Sequence, residues 1–353
     1  MTFSDQLSLG GLAAEHLTAT GVQDPSLPAL EEFADLATAT VWCRRCLPAS
    51  SGVDAASLVE VLPLRYRPGR RCTLRLEFAA PTRQRLYVKL FRRGRSKAVA
   101  RRMAALPRPS VHDAVRRPEV IRHDVSDDIL VLGEVAGEAL SDRLACVQED
   151  VPGARRIADA VAEWHGLVDR IHVDPGGWSR MDEWISVERA WRSTADSGPA
   201  GRHLARLDDA PARQHLLDRV REALHTTSFS APVLLHRDLH PQQILVDDDG
   251  VGVVDLDNLA LGPPEVDLGN LVAHLDLLEL HGLPRADRLQ NWSDELMAGY
   301  RARRPLDVVA VSTARAATLA RLAGVYASAV HLPHLPGRLL ERAGGLLSRE
   351  AAA

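Results

Sequence analysis

Lysine is nearly absent from this chain: of 43 basic residues only Lys89 and Lys97 are lysines, leaving 41 arginines. The skew fits GC-rich coding, and against it a lysine kept in mid-strand points to a chemical requirement. Cysteine is scarce too, with four in 353 residues. Cys43-Arg44-Arg45-Cys46 has the spacing of a metal knuckle or redox pair, but no second Cys/His pair stands at a matching interval. The helical spacing of Leu36, Thr40 and Cys43 makes Cys43 and Cys46 reduced thiols of one helix. There is no excess of positive charge: the net charge is −4, which argues against a nucleic-acid partner. No apolar run is read as a membrane span, and the first ten residues lack the basic start and apolar stretch of a signal peptide. A cytoplasmic protein with no membrane partner is therefore expected. The remaining composition, 46% hydrophobic and 25% charged, is that of a globular protein with length enough for two lobes.

Periodicity divides the chain. Residues 1–55 read as a helical extension. Three strand-like runs follow, Val59–Tyr66, Cys72–Phe78 and Arg85–Phe91, joined by short Pro- or Gly-containing turns, and so form an antiparallel meander. A short helix over Ser96–Ala105 and the apolar strand Ile129–Leu132 complete a first lobe over 56–133. Gly133–Gly137 reads as a linker. The second lobe, 134–353, is mostly helical, with a strongly amphipathic helix over Ala154–Ile171 and a loop or helix insertion over Gly176–Gly201. It contains one embedded group of short strands, Val233–Leu235, Gln243–Val246 and Val251–Asp255, the last two joined by the acidic turn Asp247–Gly250. Helices first, then a small sheet, then a helical body with one embedded hairpin, is an α+β pattern with two lobes.

The chemistry concentrates in Leu235-His236-Arg237-Asp238-Leu239-His240-Pro241-Gln242-Gln243-Ile244-Leu245 and in Asp255, seventeen residues after Asp238. Phosphoryl transfer needs a carboxylate to orient or deprotonate the attacking hydroxyl, oxygen ligands for a divalent cation, and a cation on the nucleotide phosphates. Asp238 on a loop, the amide of Gln243, Asp255 at the end of the next strand, and Lys89 supply these residue types. Asp257 reads equally as a second ligand or a turn carboxylate, His165 as a packed histidine, and Asp247–Asp249 as a solvated turn.

His236–Leu245 resembles the catalytic-loop signature H-G-D-L-H-P-x-N-[IV]-L of the aminoglycoside phosphotransferase and choline kinase family. Val253–Asp257 with Gly262–Gly269 resembles that family's metal-binding Asp and its G-x-P-x-x-D-L segment. The likeness covers about residues 56–345 and implies a two-lobed, protein-kinase-like fold. It implies that Asp238 is the catalytic base, that Asp255 and Gln243 hold Mg²⁺, and that Lys89 holds the α/β-phosphates of ATP or GTP. It further implies that Gly133–Val135, hence the backbone of Glu134 and Val135, meets the base, and that the turn carrying Arg70 and Arg71 covers the phosphates. Asp267 would support the catalytic loop from below. Three departures stand out: Gln243 for Asn, Arg237 for Gly, and no acid in the helix after Lys89, whose partner would come from elsewhere, for example Glu119. The slightly basic C-terminal third, with ten Arg and eight acidic residues from Leu271 onward, weighs against a polycationic acceptor. The expected activity is transfer of the γ-phosphate to a small-molecule hydroxyl. The alternatives are a Ser/Thr kinase of a natural-product precursor peptide and a pseudokinase that binds nucleotide or a partner.

Overall fold

A computed structural model describes residues 23–79, 83–110, 113–145, 153–195, 210–282, 286–329 and 332–350. The fourth cysteine, Cys146, and the first part of the expected N-terminal extension lie outside them.

The small lobe is one five-stranded antiparallel sheet in the order β1-β2-β3-β6-β5, with β1 Leu58–Arg67, β2 Arg71–Phe78, β3 Gln84–Phe91, β5 Val120–Asp124 and β6 Ile129–Gly133. Alternation sends Leu74, Leu76, Val88, Leu90, Ile129 and Val131 to the back face, all buried, because successive side chains of a strand point to opposite sides. That face is covered by helix α1, Leu36–Cys46. Asp35 caps α1, accepting from the Thr38 N–H at 2.8 Å while Thr38 reaches back to the Asp35 N–H; this reciprocal capping box satisfies two otherwise unpaired donors. Trp42 and Cys43 are the buried knobs of α1, and Trp42 packs on Phe33 at 4.9 Å between ring centroids. Burial pushes the Cys43 thiol up to about 12, helped by neighbouring Cys46. The Cys-x-x-Cys pair is thus core filling, as its lone occurrence suggested.

Asp24 fixes the β1–β2 hairpin from outside. Its carboxylate accepts from the Tyr66 hydroxyl at 2.9 Å and from the Gly69 N–H at 2.7 Å. Gly69 has φ +67°, a conformation that only glycine adopts without cost. Helix α2, Arg95–Ala104, follows β3. Its first N–H groups are met by Asp128, which accepts from Gly94 N and Ser96 N at 2.8 and 3.0 Å.

Beyond Gly133 the chain enters the large lobe. Gly137 lies so close to the backbone of Leu245 and Val246 that a Cβ would stand 2.9 Å from the Val246 nitrogen, which explains a glycine at this crossing. A small sheet of order β4-β10-β9-β7 (β4 Val115–Arg116, β7 Glu138–Ala139, β9 Ile244–Val246, β10 Val251–Val253) and the pair β8–β11 (Val233–Leu235, Ala260–Gly262) sit at the lobe junction. Strands β4, β5, β7 and β11 are short and were not expected; β4 runs parallel to β10, so the sheets are not wholly antiparallel. The acidic β9–β10 turn is not merely solvated: Asp247 takes a two-pronged ion pair from Arg116 at 2.7 and 2.8 Å.

The helical body comprises α3 Leu140–Ala145, α4 Ala154–Gly166, α5 Arg180–Ala195, α6 Ala210–Thr226, α7 Pro264–Leu280, α8 Ala286–Arg301, α9 Val308–Tyr326 and α10 Leu335–Glu350. Helix α9 is apolar and long enough to span a membrane by composition and length, contrary to expectation, but 67% of that stretch is buried among its neighbours. It is the core helix of this lobe. Gly269 of α7 lets α9 approach: a Cβ there would meet Ala314 Cβ and the Arg315 nitrogen, each at 2.7 Å.

Candidate active site

The loop after β8, residues 236–243, is held from below by Asp267 at the start of α7. One carboxylate oxygen accepts from the His236 N–H and the other from the Arg237 N–H, both at 2.7 Å. Buried His165 lies 3.2 Å from the same carboxylate and 2.7 Å from the Tyr300 hydroxyl, which makes it a support of Asp267. His236 Nε2 donates to the Val254 carbonyl at 2.7 Å, and its Nδ1 accepts from the Asp238 N–H at 3.3 Å; the network assigns the Nε2–H tautomer. Asn270 donates to the Leu239 carbonyl and accepts from Arg321, each at 2.7 Å. Three loop residues, His236, Arg237 and Leu239, are therefore pinned around Asp238, which itself stays half-buried. Burial works against its charged form, but His240 and Arg321 outweigh burial and hold its pKa below the ordinary carboxylate value.

Arg237 replaces the family's glycine at φ +68°, where an L-residue with a Cβ pays about 1–2 kcal/mol. Its guanidinium lies 3.4 Å from the centroid of the Trp178 ring and donates to the Asn258 carbonyl at 3.3 Å. Trp178 is oriented in turn by donating to Glu183 at 3.1 Å. These contacts offset the backbone cost.

Hairpin β9–β10 returns Asp255 to Gln243. The Val254 N–H donates to the Gln243 carbonyl at 3.0 Å, and the two side chains lie 3.4 Å apart. Asp255 also has a left-handed backbone, φ +62°, which turns its carboxylate into the cleft. Lys89 reaches across from β3 and binds Asp255 at 2.5 Å and Asp257 at 2.7 Å. Arg71 adds an ion pair to Asp257 at 3.1 Å, and Arg102 of α2 donates to the Asp257 carbonyl at the same distance. Burial disfavours the charge on Lys89, yet the two carboxylates overcome it and raise its pKa. Burial likewise disfavours charge on Asp255, and Lys89 and Arg71 depress its pKa well below the usual range. The missing helix acid is thereby explained: Asp255 and Asp257 are the partners of Lys89, and Glu119, which is exposed, is not.

Lys89, Arg71, Gln243 and Asp255 line an interlobe cleft of about 280 Å³, whose less polar lining is Tyr87, Leu132, Val135 and Leu245. Gly133 borders it too. Arg70 does not; it is exposed, and its N–H closes the hairpin turn onto the Arg67 carbonyl at 3.0 Å. The Glu134 side chain turns to Arg85 at 2.9 Å. Arg65 also lines the cleft and was missed, because an arginine alternating in a strand has the pattern of a solvated face. Trp178 was missed for want of any local motif. Gln243 Nε2 donates to Asp255 at 3.4 Å; with the amide turned over, its oxygen would stand beside that ionised carboxylate, the pair of oxygen ligands that a hard divalent cation such as Mg²⁺ takes.

A family model described as "Phosphotransferase enzyme family" matches residues 73–306. The chain belongs to that family. Its members move a phosphoryl group to a hydroxyl, and this chain is a phosphotransferase of that kind. The fold is shared with a choline kinase from Cryptosporidium parvum, at TM-score 0.62 and 11% identity over 89% of this chain and 96% of that one. Choline kinase LicA from Streptococcus pneumoniae follows at TM-score 0.58 and 11% identity, over 89% and 99%. A thermostable aminoglycoside phosphotransferase APH(4)-Ia, in complex with AMP-PNP and hygromycin B, matches at TM-score 0.54 and 12% identity, over 84% and 96%. No curated relative is matched by sequence.

Proposed function

We propose that this phosphotransferase moves the γ-phosphate of ATP or GTP to a hydroxyl of a small molecule, with Mg²⁺. The observation that carries the reading is the convergence of Lys89 from the small lobe with Asp255 and Asp257 from the large lobe, at 2.5 and 2.7 Å, on the floor of a cleft bordered by the Asp238 loop. The solved APH(4)-Ia complex contains AMP-PNP, which supports a nucleotide in the corresponding place. The less polar lining of the cleft suits a flat base, with the backbone at Glu134 and Val135 supplying hydrogen bonds to its edge.

Asp255 and Gln243 would hold Mg²⁺, which supplies charge neutralisation to the phosphates. Lys89 shifts from its carboxylates to the α/β-phosphates, and its charge acts in a cleft that screens it little. Asp238, ionised and rigidly held, orients the acceptor hydroxyl and takes its proton as the oxygen attacks phosphorus. Arg71 closes the phosphate end from the hairpin. The acceptor lies over the large lobe.

Phosphate release from Mg–ATP and Mg–GTP in the presence of pooled hydroxyl compounds tests this. Asp238→Asn, which keeps the shape, lowers turnover by about 10²–10⁴-fold. An unchanged rate contradicts the assignment.

A further inference from the structure

Two cations of the small lobe have no task in this scheme. Arg65 and Arg67 lie two residues apart on β1 and so share a face. The register sets Arg65 opposite Thr73 and Thr73 opposite Lys89, with Arg67 opposite Arg71. Since α1 fills the other side of the sheet, the arginine face is the cleft face, and Arg65 borders the cleft beside Lys89 and Asp255. Both arginines are half-buried, and among the described residues neither guanidinium has a hydrogen-bond or ion-pair partner. Arg71, their neighbour, is tied to Asp257. Burial and then the repulsion of Arg71 pull the Arg65 pKa down, with Asp255 and Asp238 offsetting in part. Burial, then Arg65 and Arg71, pulls Arg67 down to about 10, with Asp238 again the opposing charge. Two guanidinium groups side by side on the cleft face of β1, free of partners among the described residues, form a fork suited to oxyanions.

We propose that Arg65 and Arg67 form an oxyanion subsite on the β1 side of the cleft, next to Lys89 and Arg71. Resting on the nucleotide reading above, it has two possible occupants of the same chemistry: the terminal phosphate of the nucleotide, or an acidic group carried by the acceptor alcohol. Either adds a site to those of the motif residues, and the second makes the acceptor an anionic alcohol.

Calorimetric titration of Mg–AMP-PNP, Mg–ADP and sodium sulfate separates these. The proteins are the wild type, Arg65→Met, Arg67→Met, the double variant, and Arg93→Met as an exposed control. If the terminal phosphate is the occupant, the double variant weakens Mg–AMP-PNP about tenfold to a hundredfold and leaves Mg–ADP within about twofold. If an acceptor group is the occupant, both nucleotides bind as before, and sulfate binding to the Mg–ADP-saturated protein is lost. A wild type that binds sulfate but no nucleotide, with sulfate lost in the double variant, keeps the subsite and removes the nucleotide reading. Unchanged binding of Mg–AMP-PNP and sulfate in the double variant overturns the subsite. So does a clear fall in melting temperature for the ligand-free single variants, because a side chain without a partner holds nothing in place.

Discussion

Two residues of the motif carry backbone conformations that ordinary L-residues avoid, Arg237 at φ +68° and Asp255 at φ +62°. Variants at either must separate backbone cost from side-chain chemistry. Asp255→Asn is the clean substitution, since Asn tolerates the left-handed region and removes only the charge. Turnover falls to background while the circular dichroism spectrum stays native; a variant near wild-type turnover contradicts the role given to Asp255. For Arg237, glycine relieves the strain but loses the stack on Trp178, whereas alanine keeps the strain and also loses the stack. Arg237→Gly therefore shifts stability by no more than about 1 kcal/mol, and Arg237→Ala costs about 1–2 kcal/mol more than that; chemical denaturation gives the order, and the reverse order contradicts the stack as compensation. Lys89 and Lys97 form a natural pair. Lys89→Met leaves Arg71 as the one ion-pair partner of Asp255 and Asp257 among the described residues, and lowers the melting temperature as well as turnover, whereas exposed Lys97 is replaceable by Met without effect on either.

At the scale of elements, the strands β1, β2 and β3 were legible as strand-like runs between turns, β6 as a short apolar run, and α4 from its amphipathic stripe. Strands β4 and β7 have two residues each and β11 three; such lengths carry no period. Alternation also left open which face of β1 was which. Both faces are covered, the back by α1 and the front by the large lobe, so Arg65 and Arg67 read as a solvated row although they face the cleft. Segment 180–195, rich in turn residues at its flanks, is a full helix, because tertiary packing of Trp184 and Val187 overrides a weak local pattern. Close approach between elements is the finer determinant. Gly269→Ala drives a methyl against the backbone of α9 and destabilises by about 1–3 kcal/mol, visible as a lower melting temperature; no change would mean that α7 and α9 can part freely.

Over the whole molecule, the order sheet lobe, linker, helical lobe was readable because each lobe has one dominant period. The candidate residues Asp238, Gln243 and Asp255 could be named from sequence because the chemistry proposed for them demands fixed residue types at fixed spacing. Contacts that depend on the lobes meeting, such as Lys89 with Asp257 or Arg237 with Trp178, have no sequence period to reveal them. The large lobe also sets a pH response. His274 stacks on His240 at 4.8 Å, and burial, then the charges of His240 and Arg321, lower its pKa to about 3. An unfolded histidine titrates near 6.5, so as pH falls the unfolded chain takes the proton first. Stability is therefore full above about pH 6.5 and is lost progressively toward pH 3, at up to about 1.4 kcal/mol per unit. His274→Asn flattens denaturation midpoints between about pH 6.5 and 4.5; an unaltered slope would contradict this account of His274.

The central claim is that the interlobe cleft binds a nucleotide together with Mg²⁺ held at Asp255. Calorimetric titration of AMP-PNP, with Mg²⁺ and with chelator, into the wild type and Asp255→Asn measures it directly. The account predicts wild-type binding at least about tenfold tighter with Mg²⁺ and a variant whose binding is the same in both conditions. A wild type indifferent to Mg²⁺, or a variant that keeps the full Mg²⁺ dependence, would contradict it.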